Sequence, residues 1–402
     1  MLNVVGGTYG EVCKEPEWNQ LFGSGLRAAA SLAVDGGRPR LTTYVGPQEV
    51  ALLEQYAESF GIELEAKEAQ QTLRFTYGHA LARPWIDPPL HLVQREAPLQ
   101  VQGEAVLRFG MLEGEAEVHG SRVVYDPQSA YQPSPFGRNG STAESLAILA
   151  NLREASDLTG RQSLDEVGMA LLEEEGAAVV VVKCGPIGAR LFSSDGAHDI
   201  PAFRTERVFP IGSGDVFAAV FAHHWEESGE NPVDAAMAAS WATAYYCATR
   251  VLPVPSDPEG LKGVGNALTP TREAEARRVY LAGPFFTAAQ RWLIEQARAG
   301  LKAQGLNVFS PFHDIGLGPA QEVAQEDLAA LSDSDVVLAI VDGLDAGTLF
   351  EIGYARALGL PVVAFVENEP EEPLKMVVGG GCKVADDFVS AIYQAVWAAV
   401  GG

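Results

Sequence analysis

Apolar residues along this chain fall mostly in short unbroken runs, and alanine-rich stretches separate the runs. Leu2–Val5, Val123–Tyr125 and Ala178–Lys183 read as strands, as do Val279–Ala282, Val336–Val341 and Val362–Val366. These runs are rich in β-branched residues and show no polar face, which is the pattern of a strand covered on both sides. Gly25–Ala33, Ala143–Ala150, Asp215–His224 and Thr348–Leu358 read as helices. Strands alternating with helices predict parallel sheets with helices on both faces, an α/β architecture. The texture occurs twice. Between the two regions, Pro253–Ala276 holds Pro253, Pro255, Pro258, Gly260, Gly263, Gly265 and Pro270, the composition of a linker. The expected layout is a first domain at 1–253, a linker at 254–276 and a second domain at 277–402. No internal repeat is visible, and the acidic run Glu367–Glu372 reads as a solvated loop.

Composition narrows the function classes. A chain of 402 residues has room for two or three domains. A formal net charge of −25 argues against a nucleic-acid partner, because phosphate backbones need a basic footprint. A small phosphorylated substrate needs only a local pocket and stays in play. Cys13, Cys184, Cys247 and Cys382 form no CxxC pair and read as reduced thiols, so no structural zinc is expected. The N-terminal residues lack a basic run before an apolar one, and no stretch reaches the roughly 18 apolar residues of a membrane span. A cytoplasmic protein without a membrane partner is expected.

Candidate chemistry appears first at Gly212-Ser213-Gly214-Asp215, where a turn runs into an alanine-rich helix. Small residues leave the backbone N–H groups of a helix start open to an anion, and the helix dipole favours negative charge there. A carboxylate at the same place can take the proton from a hydroxyl that attacks a phosphoryl group. The motif alone fits an ordinary capped helix equally well. Its surroundings resemble the PfkB/ribokinase family of carbohydrate and nucleoside kinases. The resemblance runs through Gly6-Gly7 with Glu11, Phe22–Ala30, Asp126-Pro127, Asn151-x-x-Glu154 and Val181–Gly188. It implies a ribokinase-like three-layer domain with Asp215 as base and Gly212, Ser213 and Gly214 as anion hole. Lys183, Gly185 and Gly188 would lie beside ATP, Asn151 and Glu154 in an indirect Mg2+ region, and Glu11 on the acceptor. Arg27 stands where the family usually has asparagine; it reads either as a grip for an anionic acceptor or as an exposed helix arginine. The domain is short for the family, which implies a reduced lid.

The second constellation is Asp327, Asp335, Asp345 and Glu351, around the strand Val336–Val341 and the helix after it. Ligands of open α/β sheets bind at that end of a strand. Thr348-x-x-Glu351 also fits a capping box, with no role in chemistry. Together with Tyr280–Phe286 and Glu351-Ile-Gly-Tyr-Ala, the set resembles the nucleoside 2-deoxyribosyltransferase family. That implies a smaller flavodoxin/Rossmann-like parallel-sheet domain over 277–402. Glu351 would be the nucleophile on the anomeric carbon of a 2'-deoxynucleoside, the two-step logic of a retaining glycosidase. Asp327 and Asp345 would handle base protonation and sugar hydroxyls, while Gly283, Phe285 and Phe286 would line the pocket. Asp335 reads as structural. The family's asparagine beside a motif like Leu374-Lys-Met376 is not evident, so transfer and hydrolysis both stay open. By resemblance the chain is a homo-oligomer acting on small sugar, nucleoside or nucleotide substrates. His313 reads as a loop residue near this site, Trp85 and Trp292 as core or interface aromatics, and His223-His224 as unable to share a metal from one helical face.

Overall fold

The computed structural model describes residues 1–33, 38–128, 133–256, 263–269, 274–316 and 318–401. Of the expected linker residues, Pro258, Gly260 and Pro270 lie outside the described residues. The chain divides into two compact units, Met1–Thr205 with Phe209–Asn266 and Ala267–Gly402 with Glu206–Val208.

Unit 1 contains strands β1 (Asn3–Val5), β2 (Gly10–Cys13), β3 (Trp18–Leu21), β4 (Arg40–Val45), β5 (Glu63–Glu68), β6 (Arg74–Tyr77), β7 (Trp85–Asp87), β8 (Leu99–Phe109), β9 (Ala116–Asp126), β10 (Thr142–Asn151), β11 (Val179–Lys183), β12 (Gly188–Ser193) and β13 (Gly196–Pro201). Its helices are α1 (Gly23–Ser31), α2 (Val50–Phe60), α3 (Leu152–Thr159), α4 (Leu164–Glu174), α5 (Ser213–Ala222) and α6 (Pro232–Thr249). Nine strands form one sheet in the order β13-β12-β11-β10-β9-β8-β1-β4-β5. Pairing is parallel from β11 to β5 and antiparallel between β11, β12 and β13. Along β10, Ala147 and Leu149 join the core that holds α1, α5 and α6. Leu146, Ile148 and Ala150 join the opposite core with Ala155, Val167 and Leu171 of α3 and α4. Helices cover both faces, so the central strands carry no polar side, as their unbroken apolar runs imply.

Ala143–Ala150 corrects the reading by propensity, for it is strand β10 and not a helix. Alanine and leucine favour a helix in isolation, but this segment pairs with β9 on one side and β11 on the other. Ladder hydrogen bonds and burial on both faces outweigh a propensity difference of a few tenths of a kcal/mol per residue. The expected helix from Asp215 begins two residues earlier, at Ser213, and its last turn widens to a π-helical turn over His223–Glu227. Despite its length the unit keeps a second sheet of four strands, β3-β2-β6-β7.

Unit 2 contains β14 (Arg278–Ala282), α7 (Ala288–Ala303), β15 (Asn307–Phe309), α8 (Ala320–Ser332), β16 (Val336–Ile340), α9 (Ala346–Ala357), β17 (Val362–Phe365), α10 (Glu371–Gly379), β18 (Lys383–Ala385) and α11 (Phe388–Val400). The sheet is wholly parallel, in the order β15-β14-β16-β17-β18. This is the flavodoxin-like order, and its direction reverses between β14 and β16, where such sheets open a crevice. Tyr280, Val337, Ala339 and Ala364 share a core with Leu331 of α8 and Ile352 and Ala355 of α9. Helices α7 and α11 pack against each other and the strands. Trp85 and Trp292 are 67% and 58% exposed, so of the core and interface readings the core one is excluded. No helix among the described residues is long and apolar enough to cross a membrane.

Candidate active sites

In unit 1 the three neighbouring strands β9, β10 and β11 end at Asp126, Asn151 and Lys183, and these ends gather the polar residues. Lys183 Nζ lies 2.5 Å from Oδ2 of the fully buried Asp126. Burial pushes the Asp126 carboxyl up, against the pull of Lys183. For Lys183 itself burial opposes the charge, but Asp126 and Glu154 more than offset it and the ammonium is strengthened. Asn151 and Glu154 cap α3 reciprocally, Glu154 N to Asn151 Oδ1 and Asn151 N to Glu154 Oε2, each at 2.9 Å. Burial, with Asp126 adding to it, pushes the Glu154 carboxyl up to about 7.

Gly212 caps α5 with φ 81°, a backbone region that glycine enters without penalty. A Cβ on Gly214 would lie 3.4 Å from Lys183 Nζ, so the ammonium stands at this helix start. Gly185 and Gly188 also take positive φ in the turn after Lys183, and a Cβ on Gly188 would meet the Ile200 carbonyl at 2.2 Å. Asp215 is 6% exposed. Its Oδ2 accepts from Arg27 Nη1 at 2.7 Å and its Oδ1 accepts from Gln128 Nε2. Arg27 also pairs with Glu11, whose other oxygen accepts from Gly23 N at 3.1 Å. Arg27 is therefore no exposed helix arginine; at 1% exposure it is among the most buried large side chains. Nor is it a free grip for an anion, since two of the chain's own carboxylates hold it. A Cβ on Gly212 would fall 2.2 Å from Arg27 Nε, so the guanidinium packs directly on the helix cap.

In unit 2, Glu351 sits on α9 with Oε1 accepting from the Tyr280 hydroxyl at 2.6 Å. It does not cap its helix. Asp345 is the N-cap, and its Oδ2 accepts from Thr348 N at 2.9 Å and Thr348 Oγ1 at 3.0 Å. The Thr348–Glu351 capping box is thereby excluded, and Glu351 is turned to Tyr280. Burial pushes the Glu351 carboxyl up to about 7; the Tyr280 hydrogen bond pulls it down, while Asp327 and Asp345 push it up. Burial also raises Asp327, against the pull of the nearby Tyr280 hydroxyl. Asp327 Oδ1 is buried without a hydrogen-bond partner among the described residues. Glu351 and Asp327 thus stand beside one phenol, and the Asp345 charge bears on Glu351 from the helix cap.

Gly283–Phe286 follows β14 at the same end of the sheet, with Phe285 and Phe286 rings 5.6 Å apart and Phe286 66% exposed. A Cβ on Gly283 would press within 2.8 Å of Ile294 Cδ1. Asp335 ties two strands instead, accepting from Arg278 N at 2.8 Å and pairing with Arg277. His313 is engaged by Glu295 at 2.8 Å and Ser310 at 3.1 Å. His223 and His224 pair with different carboxylates, Glu227 and Glu230. The sequence assigns no role to Tyr280, although it opens the Tyr280–Phe286 motif, and does not single out Gln128. Tyr280 looks like one more apolar strand residue, and Gln128 lies just past the Asp126-Pro127 pair.

Both units place carboxylates at the carboxyl ends of parallel strands beside a helix start, the arrangement of α/β enzymes. Residues 140–252 match the family model for pfkB family carbohydrate kinase, and residues 279–387 match that for nucleoside 2-deoxyribosyltransferase. The chain thus carries one match in each unit, in the order that the motifs imply. Deoxyribokinases of Salmonella typhi and Salmonella typhimurium are 30% identical to it over 146 residues, 35% of this chain. The chain spans 44% of the length of these curated relatives. Among solved structures, a fructokinase double mutant from Vibrio cholerae O395 with fructose, ADP and potassium bound is 16% identical, with a TM-score of 0.49 over 66% of this chain and 99% of that one. Ribokinase from Thermotoga maritima is 19% identical, with a TM-score of 0.45 over 65% of this chain and 99% of that one.

Proposed function

We propose that this chain is a cytoplasmic salvage protein whose domain at 277–402 cleaves or transfers the N-glycosidic bond of a 2'-deoxyribonucleoside or its 5'-monophosphate. The observation that carries the reading is the short Tyr280–Glu351 hydrogen bond, which turns a half-buried carboxylate away from its own helix cap. Glu351 attacks the anomeric carbon, the C–N bond breaks, and its electron pair leaves with the base. Asp327, raised by burial, supplies the proton that the departing base nitrogen takes. Water or a second base then collects the sugar from the glutamyl ester. Deoxynucleosides and their monophosphates incubated with the parent and with Glu351→Ala test this directly. Base release at the parent rate by the variant would refute the nucleophile.

For the domain at 1–253, joined by a linker at 254–276, the proposal is phosphoryl transfer from ATP with Asp215 as base. Lys183 at the start of α5 supports a phosphate site there. Among the described residues no three His, Cys, Asp or Glu side chains gather as a metal site. Magnesium would therefore arrive on the nucleotide with its waters, touching Asn151 and Glu154 only indirectly. When bound, it would neutralise charge on the transferring phosphoryl group. A second reading, a catalytically silent sensor or scaffold controlling the glycosidase, is favoured by one specific observation. Both oxygens of Asp215 already accept a hydrogen bond, from Arg27 and Gln128. ATP consumption with a panel of sugars and nucleosides separates the two, and an active parent whose Asp215→Asn variant loses turnover supports the first.

A further inference from the structure

We infer that Arg27 decides whether unit 1 admits a sugar: its guanidinium occupies the acceptor position in front of Asp215 and closes the unit to polyhydroxylated ligands. The inference rests on the silent reading of that unit and names the side chain responsible. A hydroxyl that is to give its proton to Asp215 must reach one of two carboxylate oxygens and stand before the start of α5. Arg27 bonds to Oδ2, Gln128 to Oδ1, and the guanidinium covers the Gly212 cap. The same guanidinium takes an oxygen of Glu11, a second buried carboxylate.

Arg27 is seated firmly. It projects from α1, whose residues Gly23–Ser31 are all buried, and its Cζ lies 5.0 Å from the centre of the Phe22 ring. Two carboxylates already share its one charge, so the guanidinium has none to spare for an anionic acceptor. Its Nε is buried and has no hydrogen-bond partner among the described residues, and an unsatisfied buried donor is costly.

The test uses the full chain, titrated calorimetrically with D-ribose, 2-deoxy-D-ribose and 2'-deoxyadenosine and then supplied with ATP and magnesium for mass detection of phosphorylated product. Arg27→Asn vacates the space and leaves Asp215 Oδ2 and Glu11 Oε2 without the guanidinium, whereas Arg27→Met keeps the reach without the charge. Neither the parent nor Arg27→Met is expected to bind these compounds. Arg27→Asn should bind at least one of them tenfold or more tighter than the parent. A parent that binds and phosphorylates one overturns the inference together with the silent reading. A silent parent whose cooperatively melting Arg27→Asn variant gains no binding overturns the inference alone. If Arg27→Asn does not melt cooperatively, Arg27→Lys, which reaches only one carboxylate, takes its place with the same tenfold criterion.

Discussion

Tyr280 sits in a strand that reads as plain hydrophobic core, yet its hydroxyl sets the state of Glu351. The hydrogen bond from Tyr280 pulls against burial. Removing it in Tyr280→Phe leaves burial less opposed, so Glu351 ionises at higher pH. The acid limb of base release should move upward, and the rate at pH 7 should fall several-fold. A limb that stays in place in a full pH–rate profile would count against Glu351 as the titrating group. The raised carboxyl also has a stability consequence. A folded pKa of about 7 against an ordinary 4.5 means that the folded chain binds the Glu351 proton more tightly than the unfolded one. Stability is then fully present below the unfolded value and declines as pH rises towards 7. Glu351→Gln should melt higher than the parent at pH 8, by an amount of about 3 kcal/mol or less, and the gap should close near pH 4. Equal melting temperatures at both pH values would refute the assignment.

At the scale of elements, α9 separates two jobs that the sequence runs together. Asp345 caps the helix and also pushes the Glu351 carboxyl up. Asn caps as well as Asp, so Asp345→Asn should hold stability within a few tenths of a kcal/mol while moving the acid limb of activity to lower pH; Asp345→Ala should cost about 1 kcal/mol. Thermal melts and pH–rate profiles of the pair check this. The helix start at Gly212, the β9 end at Asp126 and the Glu351 helix were all readable from residue type and spacing. Which carboxylate caps α9 was not, because Asp345 and Thr348 both suit the job and only the backbone path chooses. Arg27 was misread for a related reason. A lone arginine in an alanine-rich helix looks solvated until partners 16 and 188 residues away come to meet it. Strand β10 failed for another: its alanines state a local preference that two neighbouring strands override.

Among the described residues, two cores flank the nine-stranded sheet of unit 1 and another lies beside the sheet of unit 2. Leu107→Ala and Ile352→Ala each empty a buried site, at a cost of about 2–5 kcal/mol. In a calorimetric scan each should lower a different transition; both lowering one common transition would mean that the cores melt together. Strand β10 has one more consequence, and it concerns time. During synthesis Thr142–Asn151 is made before its partner β11 exists, and its alanines and leucines favour a transient helix in the unfolded chain. Folding of unit 1 must then dissolve that helix before the middle of the sheet can close. Glu144 is exposed on β10, so Glu144→Thr weakens the helix and favours the strand without touching either core. It should speed refolding in stopped-flow measurements while leaving the unfolding rate nearly unchanged.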